Sequence, residues 1–308
     1  MTADSAPWLD TATTVRDDES GIVRSASVAG ERLGRYRLVR RIGAGAMGWV
    51  YEAYDPLLER SVAIKVPRPG RTAEPVRKEA KALARLVHPN VITVYDVGEA
   101  DGRTFVVLEL VEGMTLREWL AAEHRTFPAI VEVLLAAGRG LAAVHAVGLV
   151  HRDFKPANVI VGYDERVRVV DFGIASASMS DDASIAGTPA YMAPEQSVGS
   201  AVAALADQFS FCVVLWEALF GERPYPKGDL SRLKAGSSAL DPRIPSHEHS
   251  VPTWLSQLIA RGLMIEPNAR HPSMASLLGA IELGLSGERG GRCASISNLH
   301  PSRSVDGV

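Results

Sequence analysis

The spacing of apolar residues changes period once along this chain, and that change limits the fold more than any other feature. Between Arg35 and Val111 the segments YRLVRRI, WVYEAY, SVAIKV, VYDVGE and TFVVLEL read as β-strands, broken by one helical stretch, Glu74–Val87. From Thr115 onward the spacing is of the 3.6 type, over Thr115–Ala122, Ala129–Val147, Ala206–Phe220, Thr253–Met264 and Met274–Leu285. A β-rich part followed by a helical part predicts an α+β architecture of two lobes. A cleft between lobes is a common ligand site. No period of 20–50 residues recurs, which excludes solenoids and propellers.

The organised region reads as residues 34–285, with a small lobe over about 34–111 and a large lobe over about 112–285. Residues 1–33 and 286–308 are polar and aperiodic, and read as a flexible leader and a disordered tail. Against 33 Lys and Arg stand 36 Asp and Glu, a net charge of −3, so the basic excess of a nucleic-acid binder is missing. The two cysteines, Cys212 and Cys293, sit in no CxxC or Cys/His cluster, which argues against a disulfide framework or structural zinc and for a reducing, cytoplasmic setting. The apolar stretches 133–150 and 209–220 are interrupted by Arg139, His145 and Glu217, and read as buried helices with no membrane span.

Residues 42–50, IGAGAMGWV, place Gly43, Gly45 and Gly48 in a GxGxxG pattern that also fits an unliganded hairpin. The segment after them, WVYEAY, is a strand where a dinucleotide fold needs a helix, and no GK[ST] closes the loop as in a Walker A motif. The glycines therefore join two antiparallel strands. In the next strand Val62, Ile64 and Val66 share one face, leaving Ala63 and Lys65 on the other, towards the glycine loop. On the helix, Glu79 lies on the same stripe as Val76, Leu83 and Leu86. A carboxylate on a buried stripe needs a cation. Lys65 is the candidate, giving a Lys65–Glu79 pair; the other reading is a rotated helix with Glu79 in water.

The segment HRDFKPANVIV places Asp153, Lys155 and Asn158 on backbone that Pro156 keeps from being a regular helix, and Asp171 comes directly after RVRVV. Asn158 and Asp171 offer the hard oxygen ligands that suit Mg²⁺. Asp153 can accept a hydrogen bond from an attacking hydroxyl, and Lys155 can offset charge on a transferring phosphoryl group. His247, His249 and His271 have no third ligand nearby and are not read as a metal site, and Trp216 and Phe220 read as core.

The glycine loop, VAIK, HRDFKPAN, DFG at 171–173 and GTPAYMAPE at 187–195 together resemble the protein-kinase signature set, and most closely the bacterial eukaryotic-like (Hanks-type) serine/threonine kinases. The resemblance covers roughly residues 36–285 and implies a two-lobed protein-kinase-like fold that transfers the γ-phosphoryl group of ATP, with Mg²⁺ or Mn²⁺, to Ser/Thr hydroxyls of proteins, including its own chain in trans. It implies that Ile42, Gly43, Gly45, Gly48, Val50 and Ala63 enclose the nucleotide, that Lys65 and Glu79 pair at its phosphates, and that Leu108 is the gatekeeper before a hinge running from Glu109 to Val111. Asp153 would be the catalytic base, Lys155 would meet the γ-phosphate, Asn158 and Asp171 would hold the metal, and Thr188 would orient the substrate hydroxyl. Leu83, Val94, His151 and Phe172 would stack between the lobes, Glu195 would pair with Arg270, and Asp207 would anchor the catalytic loop. Arg152 implies activation by a phosphate on the loop from Asp171 to Glu195; no threonine occurs between Gly173 and Gly187, and of the candidates Ser176, Ser178, Ser180, Ser184 and Thr188 the reading favours Ser180 or Ser184. The alternative functions are a nucleotide-binding pseudokinase scaffold and a small-molecule phosphotransferase.

Overall fold

The structure is a computed structural model that describes residues 30–45, 48–68, 72–172, 190–198, 204–225 and 251–297, with side chains up to residue 287. The small lobe is a six-stranded antiparallel sheet in the order β1-β2-β3-β4-β6-β5. Its strands are β1 (Arg32–Leu33), β2 (Tyr36–Gly45), β3 (Gly48–Asp55), β4 (Arg60–Pro67), β5 (Val94–Ala100) and β6 (Arg103–Leu108). Leu33 is buried in this lobe, so organised chain begins just before the boundary expected at residue 34.

The alternation in β4 does what the pattern requires. Val62, Ile64 and Val66 join Leu38, Tyr51, Ala53, Phe105 and Val107 in a core of the small lobe's own. Ala63 belongs to a second cluster that includes Leu83, Val94, Val106 and Leu108 and continues into the large lobe. The helix α1 (Ala73–Ala84) stops short of the expected Val87, which is 96% exposed. It buries Val76, Ala80 and Leu83 and packs against β5 and β6. At roughly 1.5–3 kcal/mol per fully buried aliphatic side chain, that stripe outweighs the weak capping at Thr72, whose side chain makes no cap hydrogen bond.

A short strand, β7 (Gly113–Thr115), leaves the small lobe and pairs with a hairpin of β8 (Val159–Gly162) and β9 (Val167–Val169). Four-residue and shorter strands carry too little periodicity for sequence reading, which anticipated neither β7 nor β8. Thr115 then caps α2 (Leu116–Ala122) through a reciprocal capping box with Glu118. The remaining helices are α3 (Phe127–Ala146), α4 (Ala204–Phe220), α5 (Thr253–Gly262) and α6 (Met274–Ser297). By length and composition α3 could cross a membrane. Here it buries Leu134, Ala137, Leu141 and Val144 completely and packs on α4, α6 and β9. Helix α4 is apolar nearly all round, as befits a helix enclosed by others, and the Trp216 and Phe220 rings pack at a tilt with centroids 4.5 Å apart.

Helix α6 runs past the boundary expected at Leu285, to Ser297. Its second half is rich in Gly, Ser and Arg and has no apolar stripe in its sequence, while an Arg139–Glu282 ion pair ties the first half to α3. Of the leader expected over residues 1–33, residues 1–29 lie outside the described residues, and Arg32–Leu33 form β1.

Candidate active site

The small lobe supplies a ceiling built by strand register. Val50 lies opposite Lys65, Lys65 opposite Val106, and Ala63 opposite Leu108, so these side chains share one face of the sheet. Gly43 and Gly45 are on β2 and Gly48 opens β3; residues 46 and 47 between them lie outside the described residues. Of the three glycines only Gly48 is required as such: its φ is +146°, and a Cβ there would stand 2.2 Å from the carbonyl oxygen of Val66. A Cβ on Gly43 would meet only the Val50 side chain at ordinary distance, and one on Gly45 would meet nothing. Ile42, 39% exposed, borders the same hairpin. Leu108 is buried at the end of β6, and the amide of Glu109 donates to the carbonyl of Thr93 at 2.9 Å, fixing the start of the hinge.

The floor is the loop 151–158. Asp207, buried in the first turn of α4, accepts from the amides of His151 at 2.7 Å and Arg152 at 2.8 Å, and lies 2.7 Å from Nε2 of His145. This anchoring holds Arg152 at φ +69°, a conformation non-glycine residues rarely adopt. The His145 contact went unforeseen because 62 residues separate the two partners. Gln196 adds a clamp, donating to the Arg152 carbonyl at 3.0 Å while accepting from the Ala193 amide.

Asp153 sits at the centre of this loop. Lys155 Nζ donates to its Oδ2 at 2.7 Å, and Asn158 Nδ2 donates to its carbonyl at 2.8 Å. Asn158 is buried at 4% exposure, with its amide nitrogen turned to Asp153, which leaves the amide oxygen as the atom available to a cation. Phe172 packs on His151 with ring centroids 4.8 Å apart, and both are buried with Leu83 and Val94, the four residues expected to stack between the lobes.

Ceiling and floor meet at Lys65, in a way that corrects one expectation. Lys65, 2% exposed, pairs through its ammonium with Oδ1 of Asp171 at 2.8 Å, and among the described residues no ion pair joins Lys65 to Glu79. Burial works against ionisation of Asp171, but Lys65 outweighs it and holds the carboxyl below its usual range. Asp171 reaches into the cleft from backbone at φ +63°. Glu79 is left with a buried Oε2 that has no hydrogen-bond partner among the described residues. Burial pushes its pKa up to about 7, only partly countered by Arg152 and, to a lesser degree, Lys65. The expectation that a carboxylate on this buried stripe is met by the Lys65 ammonium fails for Glu79 in this arrangement. Two carboxylates compete for one ammonium, and in this arrangement Asp171 has it.

Other expected features fall into place. Arg270, with no exposed side-chain surface, grips both oxygens of Glu195 at 2.7 and 2.8 Å and donates to three backbone carbonyls. His271 is structural: its backbone amide donates to the Gln208 side chain, its ring contacts the Leu258 carbonyl, and burial lowers its pKa. Cys212 is wholly buried and its thiol is pushed up to about 12. Thr188, Ser176, Ser178, Ser180, Ser184, His247 and His249 lie outside the described residues.

The profile of the protein kinase domain matches residues 36–279, most of the chain. The chain belongs to the protein kinase family. Among curated relatives it is 35% identical over 266 residues to the serine/threonine-protein kinase PknE of Mycobacterium tuberculosis, covering 83% of this chain and 47% of that protein. It is 36% identical over 271 residues to PknA of the same organism, covering 83% of this chain and 62% of that protein. The chain thus spans roughly half to two thirds of the length of these relatives. Among solved structures, the kinase domain of M. tuberculosis PknI superposes with a TM-score of 0.67 at 27% identity, over 83% of this chain and 99% of that one. This kinase domain is therefore of the bacterial Hanks type, with a two-lobed α+β fold.

Proposed function

We propose that this kinase domain transfers the γ-phosphoryl group of ATP to serine or threonine hydroxyls of proteins, its own chain among them, in the cytoplasm. The observation that carries the reading is the meeting of Lys65, Asp171, Asn158 and Asp153 at one place between the lobes, linked by contacts of 2.8 Å across Lys65–Asp171 and Asn158–Asp153. No residue type needed for the chemistry is missing, so nothing favours a scaffold over an enzyme.

The residues also fit a magnesium ion. Among the described residues no three His, Cys, Asp or Glu side chains cluster into a closed cage. One carboxylate and one amide oxygen, from Asp171 and Asn158, are what Mg²⁺ uses when substrate phosphates complete its shell. When bound, the ion would neutralise charge on the β- and γ-phosphate oxygens. Lys65 then has anionic phosphate to bind in place of Asp171, and the small-lobe acid Glu79 becomes the group that can hold its position.

The remaining roles rest on placement. Gly43, Gly45, Gly48, Ile42, Val50 and Ala63 would cover the nucleotide, with Leu108, Glu109 and Val111 along its adenine edge. Asp153 would orient the acceptor hydroxyl and take its proton. Lys155, donating to Asp153 at 2.7 Å, can turn to the transferring phosphoryl group without moving its backbone. Thr188 would hold the acceptor hydroxyl. The test is incorporation of labelled phosphate from ATP–Mg²⁺ into a generic protein substrate and into the chain itself. The D153N variant should lose about 10²–10⁴-fold in rate, the range of a general base. Equal rates for D153N and wild type would overturn the assignment.

A further inference from the structure

Arg168 is a charged residue that the mechanism does not use, yet it is 3% exposed. It lies on β9, in the large lobe, three residues before Asp171. Its guanidinium forms a fork on Asp164, with Nη1 to Oδ1 at 3.0 Å and Nη2 to Oδ2 at 2.8 Å. The same Nη2 reaches Oε1 of Glu109, the first hinge residue, at 2.8 Å. The other oxygen of Glu109 accepts from the Thr93 hydroxyl at 3.2 Å. A single buried cation therefore joins three pieces of chain: the hinge, the segment entering β5 and the β8–β9 turn.

The turn is shaped for this contact. A Cβ on Gly162 would stand 2.3 Å from Oδ1 of Asp164 and 3.1 Å from Nη1 of Arg168, so glycine is what lets the turn close over the guanidinium. Hydrogen bonds from Arg168, with a smaller contribution from Arg166, hold the Asp164 carboxyl well below its usual range, so the fork stays charged at neutral pH. Backbone bonds run beside it: the Ile92 amide donates to the Val169 carbonyl at 3.0 Å, and the Tyr163 amide to the Glu112 carbonyl at 2.9 Å. The Ile92–Val169 bond joins the small lobe to β9, and among the described residues Arg168 is the side chain of that strand that grips the hinge directly.

We propose that Arg168 is a positioning residue for nucleotide binding: by tying Glu109 to the Asp164 turn it fixes the hinge backbone against which the adenine would lie. The proposal rests on the kinase reading above. Planar, forked recognition is needed to hold two carboxylates at once, and a lysine cannot reproduce it.

The experiment compares steady-state kinetics and ADP affinity for wild type, R168M, R168K, E109Q and R166M. R168M keeps the apolar stem and removes the fork; E109Q keeps the hinge backbone and removes the carboxylate. R166M removes an arginine that binds Asp164 but not the hinge. R168M and E109Q should each raise KM for ATP about 5–20-fold with kcat within about twofold, the mark of lost binding that is equal in ground and transition states. Their combination should add little, because each removes the same contact. R168K should fall between R168M and wild type, and R166M should match wild type. If R168M does not fold, E109Q carries the test alone. A KM for ATP within twofold of wild type in E109Q, a fall in kcat at unchanged KM, or an equal effect in R166M would overturn the proposal. Wild-type protein without any phosphoryl transfer would instead overturn the underlying kinase reading, while ADP affinity would still report on the clamp.

Discussion

Glu79 offers the sharpest test of the electrostatics, because its burial predicts that removing a charge proposed to serve catalysis makes the unliganded protein more stable. A carboxyl with an ordinary value of 4.5 that titrates at about 7 in the fold carries a cost when ionised. At ~1.36 kcal/mol per pH unit the cost reaches ~3.4 kcal/mol. The sign depends on which state binds the proton more tightly. Below about pH 4.5 both folded and unfolded chains hold it and the cost is absent. As pH rises towards 7 the unfolded chain gives up its proton first, stability falls, and above about 7 the loss is constant. Relaxation around the charge reduces the full figure to roughly 1–3 kcal/mol. E79Q is neutral at every pH and nearly isosteric. Without nucleotide it should therefore exceed wild type by about 1–3 kcal/mol in urea denaturation at pH 8, with the gap shrinking below about 1 kcal/mol at pH 5. Phosphoryl transfer should fall in the same variant, since Gln cannot neutralise Lys65. An E79Q protein less stable than wild type at pH 8, or a difference that does not change with pH, would refute the idea that this carboxylate is buried without a cation of its own.

Other outcomes depend on single contacts. G48A should weaken nucleotide binding and destabilise the small lobe by about 1–3 kcal/mol, because its Cβ meets the Val66 carbonyl and its backbone is strained; G45A, with open space around it, should show no such loss in thermal denaturation. R270M strands Glu195 beside three carbonyls that lose their donor, and should cost about 3–5 kcal/mol by chemical denaturation. For G48A and R270M alike, a stability unchanged from wild type would contradict the geometry.

The parts of this molecule legible in sequence are those whose cause is local. The five main strands of the small lobe appear as period-two segments, and the face to which Lys65 points is set by Val62, Ile64 and Val66 on the other side. The Glu195–Arg270 pair and the Asp207 anchor came through resemblance, since no local pattern links residues so far apart. What sequence could not supply was the outcome of a competition. Lys65 pairs with Asp171 and acts on Glu79 only through space, and the choice depends on where helix α1 sits, which a periodicity argument cannot measure. The Arg168 network escaped notice for another reason: an arginine in RVRVV looks like an outward-facing strand residue until the turn at Asp164 is seen folded over it.

Asp207 has a consequence beyond anchoring. Because its three donors come from the large lobe alone, the strained loop that presents Asp153 is assembled when the protein folds and owes nothing to any ligand. Any control of this domain can leave that loop as it stands. What is left to vary is which acid one lysine keeps company with, and that is decided by where α1 sits over it.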